Sequence, residues 1–301
     1  MIFSSPTTDI AFKKLFGDQK RAALTISFLN NILERREGEL ITEITINDNA
    51  NLPPTDEQKK SFVDVSCTDQ TGKKYIIEMQ VARQKDFREH AQYYTAFCLA
   101  NQLNKKNNYA LLVPVIFVAI LDFNLFKEKN YLTHHLTTDT KTGQQSLYHA
   151  EFHFIELKKF TQAIDQLVTE TDKWIYLIKE ADNLEQIPRQ MKNSPELLEA
   201  LDVLEQSAWS KRELESYFLE VDAERVRTSI EKTTYEDALK EGREKGLEEG
   251  LEKGLQKGLQ KGREEGIFDV ALTMLSQNFD IKIIASVTGL SIEQIKTLQK
   301  K

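Results

Sequence analysis

Two acids sit inside what would otherwise be an apolar strand pair. From Ser61 to Gln80, β-branched and aromatic residues flank a polar break of Thr, Asp, Gln and Gly72, which reads as two short strands joined by a turn. Side chains alternate across a strand, so Asp64 is expected to share a face with Phe62 and Ser66, and Glu78 with Ile76 and Gln80. If the turn occupies Asp69 to Lys73, Asp64 falls directly opposite Glu78, with Gln80 one step further along that face. Two neighbouring carboxylates repel unless a cation sits between them, and a hard divalent ion takes oxygen ligands. A solvated hairpin carrying ordinary surface acids is the plain alternative. Against it, Tyr75 to Val81 is too apolar for a surface edge, so an acid within it faces desolvation.

The spacing of Asp64, then Glu78-x-Gln80 on the following strand, resembles the active-site signature of the PD-(D/E)XK nucleases. It is closer still to the Rpn branch, the recombination-promoting nucleases or nuclease-family transposases, where Gln replaces the usual Lys. The likeness extends through Thr8-Asp9-Ile10-Ala11-Phe12-Lys13-Lys14-Leu15-Phe16, Arg88 with Tyr93 and Tyr94, Pro114 to Phe123, and His153 to Phe160, roughly the first 160 residues. It implies a metal-dependent DNA endonuclease that hydrolyses phosphodiester bonds and serves recombination or mobile elements. In that reading Asp64, Glu78 and the main-chain carbonyl of Met79 hold Mg²⁺, with Mn²⁺ or Ca²⁺ as substitutes. Gln80 then stands where a Lys would activate water, and an amide orients water without bringing charge or acid-base chemistry. Lys73, Lys74 and Arg88 are candidates for the missing charge. Asp9 reads two ways, as a further acid at the metal or as a helix cap.

Charge bears on a nucleic-acid substrate. The formal net charge of the 301 residues is −7, but residues 1–160 hold 20 basic against 19 acidic side chains, so the acidity lies in the remainder. Contact with DNA must come from a local cluster. Hydrophobic content of 40% and charged content of 29% are those of an ordinary globular chain. The apolar run Val113 to Leu121 is half what a membrane helix needs, the first residues show no secretory pattern, and Cys67 and Cys98 have no metal-type neighbours. A cytoplasmic protein with no membrane contact is expected.

Along the chain, hydrophobic spacing predicts a helix ending about Gly17, a second from about Asp18, a strand over Leu40 to Ile46, a loop over Asn47 to Lys60, and the two central strands. A helix over Asp86 to Asn104 and strands at Val113 to Leu121 and Glu151 to Leu157 follow. The fold class is therefore α/β, a PD-(D/E)XK nuclease-like mixed sheet flanked by helices over 1–160, with an all-α extension over 161–241 in which Ser194-Pro195-Glu196 starts a helix.

Residues 242–266 repeat Gly every fourth position. Each step advances about 40° around a straight helix, so the seven glycines wrap through about 240° and form no single packing seam. At about 1 kcal/mol each they would weaken a lone helix by on the order of 7 kcal/mol. The segment is either a helix stabilised by a partner or a flexible linker, and it resembles repeats in Rpn tails. Residues 267–301 form a small helical module with Ala285, Gly289 and Ile295 at helix-turn-helix spacing and a capping box at Ser291 and Gln294. DNA reading and dimer packing are both open to it, and a homo-oligomer through the Gly repeat and this module is expected. The alternative to the enzyme is a non-catalytic DNA-binding or assembly protein retaining a nuclease-like core, and an RNA substrate is compatible with the same residues.

Overall fold

The computed structural model describes residues 1–47, 63–103 and 108–299; the expected loop over Asn47 to Lys60 lies almost wholly outside them, as do Ser61 and Phe62. The chain divides into two compact units, 1–224 and 225–301.

In the first unit a six-stranded mixed sheet comprises β1 (Ile44–Asn47), β2 (Val65–Asp69), β3 (Lys74–Gln80), β4 (Val115–Leu121), β5 (Leu132–Thr137) and β6 (Leu147–Glu156), in the order β1-β2-β3-β4-β6-β5. β3, β4 and β6 run parallel, and the other pairings are antiparallel. Every residue of β4 is buried, which is why that strand reads as a continuous apolar run. Its alternate residues feed two cores. Ile116, Val118 and Ile120 pack with α1 (Asp9–Phe16), α2 (Ala22–Ile32), α4 (Glu170–Glu180) and α5 (Pro195–Leu204). Val115, Phe117, Ala119 and Leu121 pack with α3 (Phe87–Ala100) on the other face.

The turn between β2 and β3 is built by Asp69. Its main-chain N–H donates to the Lys73 carbonyl at 3.0 Å, and its carboxylate accepts from the N–H groups of Thr71 and Lys73. Gly72 has φ of +86°, a conformation that costs glycine no steric strain. The resulting register sets Val65 against Ile77 and Ser66 against Ile76.

Several boundaries differ from expectation. β1 is limited to four residues, and α2 starts only after a short 3-10 turn, Gln19–Arg21. β6 begins at Leu147 and pairs with β5, a strand that periodicity misses because Thr133, His134, His135 and Thr137 put polar residues on a sheet edge. Pro195 is the first residue of α5, as its spacing predicts.

α6 (Lys211–Ser276) starts in the first unit, continues through all seven repeat glycines and ends in the second. In the second unit, α7 (Ile281–Thr288) stops at Gly289, whose φ is +74°, and α8 (Ile292–Leu298) opens on the expected Ser291 and Gln294 capping box. Ala271, Ile284 and Ile295 form its small core. No described helix is long and apolar enough to cross a membrane.

One buried ion pair ties the end of β6 to the loop after β4. Glu156 is fully buried, bonds Lys159 at 2.5 Å and accepts the N–H groups of Leu125 and Phe126, while Lys159 donates to the Phe126 carbonyl at 3.1 Å. Removing one partner leaves a buried charge alone, so Lys159→Met should cost about 3 to 5 kcal/mol in urea unfolding, and Lys159→Met with Glu156→Gln should recover part of that loss. Additive losses in the double variant would contradict this coupling.

Candidate active site

Glu78 lies in the middle of the sheet, on the α3 face, and its side chain is inaccessible to solvent. Asp64 lies one residue before β2, and extending the register by one step sets it across from Glu78. Strict alternation stops here: Val63 joins the core under α3, whereas Val65 joins the opposite core, so the chain bends at Asp64. The bend lets the side chain act as a ladder acceptor. Asp64 Oδ2 takes the main-chain N–H of Met79 at 2.7 Å, and the Asp64 backbone lies close enough to the Glu78 carboxylate to favour its charged form. The Asp64 side chain is thus tied to the strand that carries Glu78.

The electrostatics follow from this placement. Burial is the largest cause holding the Glu78 carboxyl up at about 8, the charge of Asp64 adds to it, and the Gln80 amide and the Asp64 backbone offset only part. Burial also raises Asp64, against the lowering effect of the Met79 N–H, and nearby Asp9 raises it further. Glu78 Oε1 is buried and makes no hydrogen bond within the described residues. An orphaned carboxylate oxygen in a raised-pKa pair is what a divalent cation would satisfy. Among the described residues no three His, Cys, Asp or Glu side chains form a ready metal cluster. A site of two carboxylates completed by main chain and water still fits Mg²⁺, which keeps several waters and needs only one or two carboxylates.

Gln80 sits one step along from Glu78, its Nε2 at 3.5 Å from Glu78 Oε2, and its Oε1 accepts from Gln84 at 3.2 Å. Asp9 stands in the first turn of α1, where it pairs with Lys13 at 2.7 Å; the N-cap position belongs to Thr8, and Glu220 accepts the Ile10 N–H. The Asp9 side chain therefore does not cap its helix, and its charge reaches Asp64.

Two residues of the stretches that carry the family resemblance also act on this pair. Lys13 is the cation that lowers both Asp64 and Glu78. Nothing in the pattern of α1 ties it to a hairpin so far along the chain. Burial raises the hydroxyl of Tyr94 on α3, the charge of nearby Glu78 raises it further, and the ring packs on His90 with centroids 4.1 Å apart. The other proposed cations lie elsewhere: Lys73 acts on Glu151, Lys74 on Cys98, and Arg88 lines a hollow on the opposite flank of α3. His134 and His153 pack together at 4.3 Å, away from this pair.

Comparison with known proteins adds an independent line. The model of the family described as PD-(D/E)XK nuclease family transposase matches residues 6–232. No curated protein and no solved structure matches the chain.

The raised Glu78 pKa has a sign that can be measured. The folded state holds the proton more tightly than the unfolded chain, so this contribution is complete below about 4.5 and is lost as pH rises toward about 8. Metal-free protein should lose melting temperature between pH 5 and 8 more steeply than Glu78→Gln does. Parallel pH profiles for the two proteins would show that the carboxyl is not held protonated.

Proposed function

This chain belongs to the PD-(D/E)XK nuclease family transposases, and on that premise we propose that it is a metal-dependent DNA endonuclease acting in recombination or mobile-element movement. The observation that supports this most is the placing of Asp64, held by the Met79 N–H, across from Glu78, one of whose buried carboxylate oxygens has no hydrogen bond within the described residues. Asp64, Glu78 and the Met79 carbonyl would hold Mg²⁺, with Mn²⁺ and Ca²⁺ as alternatives. Such an ion supplies charge neutralisation at the scissile phosphate and a water of lowered pKa. Gln80, anchored by Gln84, would orient that water through its amide. Lys13 would add the positive charge that the amide lacks, and Asp9 would hold Lys13 in place through their salt bridge.

We assign the tail to assembly. Leu247, Leu251, Leu255 and Leu259 are each more than 60% exposed along the repeat; like the glycines they advance about 40° per step, so they form an apolar strip that winds around the helix and that a second copy of the chain would cover by coiling about it. Ion pairs such as Glu241 with Lys245 and Glu249 with Lys253 support the helix locally but add only a few tenths of a kcal/mol each.

Nicking of supercoiled plasmid in Mg²⁺ should fall at least about 100-fold in Asp64→Ala and in Glu78→Ala, and should stop on chelation. Equal nicking by parent and variants would trace the activity to a contaminant and remove the enzyme reading. By size-exclusion chromatography, deletion of residues 242–301 should reduce an oligomer to a monomer; an unchanged assembly state would remove the role given to the tail.

A further inference from the structure

The hollow beside Arg88 lies on the α3 side of the sheet, on the other flank of the helix from Tyr94. Phe152 and Phe154 of β6 form its floor, Arg88 and Gln92 of α3 one wall, and Phe126 and His135 the other. Its free volume is about 240 Å³, below the roughly 300–1,000 Å³ of sites for larger ligands, so it suits a single planar ring system and not a duplex.

The wall is prebuilt. Phe126 and His135 stack with centroids 4.7 Å apart, and Phe154 meets both rings edge-on at 5.1 and 5.4 Å. The Phe126 backbone is fixed at both its N–H and its carbonyl by the buried pair of Glu156 and Lys159. Aromatic faces beside one guanidinium and one amide are the chemistry that receives a nucleobase and its phosphate.

Position links the hollow to the carboxylates. Glu78 of β3, Ala119 of β4 and Phe154 of β6 lie in one row across the sheet. Two strand spacings put the backbones of Glu78 and Phe154 about 10 Å apart, a span that a few nucleotides of an unpaired strand cover. Arg88 is in the first turn of α3, so a strand joining the two places can round the start of the helix.

We propose that this hollow holds an unpaired nucleobase of the same strand whose phosphodiester reaches Asp64 and Glu78, which makes single-stranded or locally unpaired nucleic acid the preferred substrate. The proposal rests on the nuclease reading above. Within a duplex both faces of a base are covered by its neighbours, so entry requires a base already out of the stack or one extruded from it. Arg88 pairs with a phosphate, Gln92 with a base edge, and the Phe126 and His135 walls supply the stacking surface.

The test uses the full chain in chelator, where no strand is cut, and follows fluorescence anisotropy of a labelled 12-residue oligothymidine, an abasic strand of equal length and charge, and oligouridine. Base-bearing strands should bind about tenfold more tightly than the abasic strand, as expected from stacking of one base. Phe126→Ala and His135→Ala should each reduce that ratio toward one; His135 lies on an exposed edge strand, so its variant keeps the test valid if Phe126→Ala unfolds. Oligodeoxyuridine and oligouridine, which differ only in the sugar, are compared in the same way: tighter binding of the first identifies DNA as the source of the base, and of the second RNA. Equal binding of base-bearing and abasic strands, or an undiminished ratio in His135→Ala, would overturn the proposal. Absence of nicking with the base preference intact would remove the nuclease reading alone.

Discussion

An acid almost wholly withdrawn from water is the constraint on which the proposed chemistry of this protein rests. Glu78 is fully buried in the central parallel strands, faces the charge of Asp64, and has one carboxylate oxygen with no hydrogen bond within the described residues. A sheet does not keep such a group for stability, since a Leu or Val there would pack without desolvation cost. Its presence is intelligible when a further positive species enters, and the bend at Asp64 then makes sense. By lending its side chain to the Met79 N–H, Asp64 stays close to Glu78 without the β ladder being broken.

The rest of the first unit serves that arrangement. The Asp69 turn, with Gly72 in the left-handed region, sets the register that opposes the two acids, and a one-residue slip would carry them to different faces. α1 delivers Lys13 from one side, held by Asp9, while α3 covers Glu78 from the other with Tyr94. The Glu156 and Lys159 pair does comparable work further along the sheet by fixing the loop that carries Phe126. Two buried polar arrangements thus flank one helix.

Legibility in the sequence tracks how local each signal is. The turn between β2 and β3 and the opposition of Asp64 to Glu78 follow from a period of two and one Gly, so they can be read from 20 residues. The capping box at Ser291 and the Pro195 start are equally local. β5 is hidden because an edge strand does not need an apolar face, and Thr and His carry it as well as Val would. Lys13 and the hollow under Arg88 depend on packing between elements far apart in the chain, and no spacing rule connects them. At the repeat, propensity disfavours a lone helix, whereas α6 runs through all seven glycines; the exposed leucines between them are the surface on which the assembly proposed for the tail would form.

The central claim is that Asp64 and Glu78 together take up one divalent cation, and proton counting tests it most directly. Titration calorimetry of Mn²⁺ into the full chain at pH 7, in buffers of different ionisation enthalpy, should show one ion bound with release of about one proton, because a carboxyl held at about 8 is mostly protonated before the ion arrives. Glu78→Gln should bind far more weakly and release none. Tight binding in Glu78→Gln, or binding by the parent with no proton released, would contradict the account.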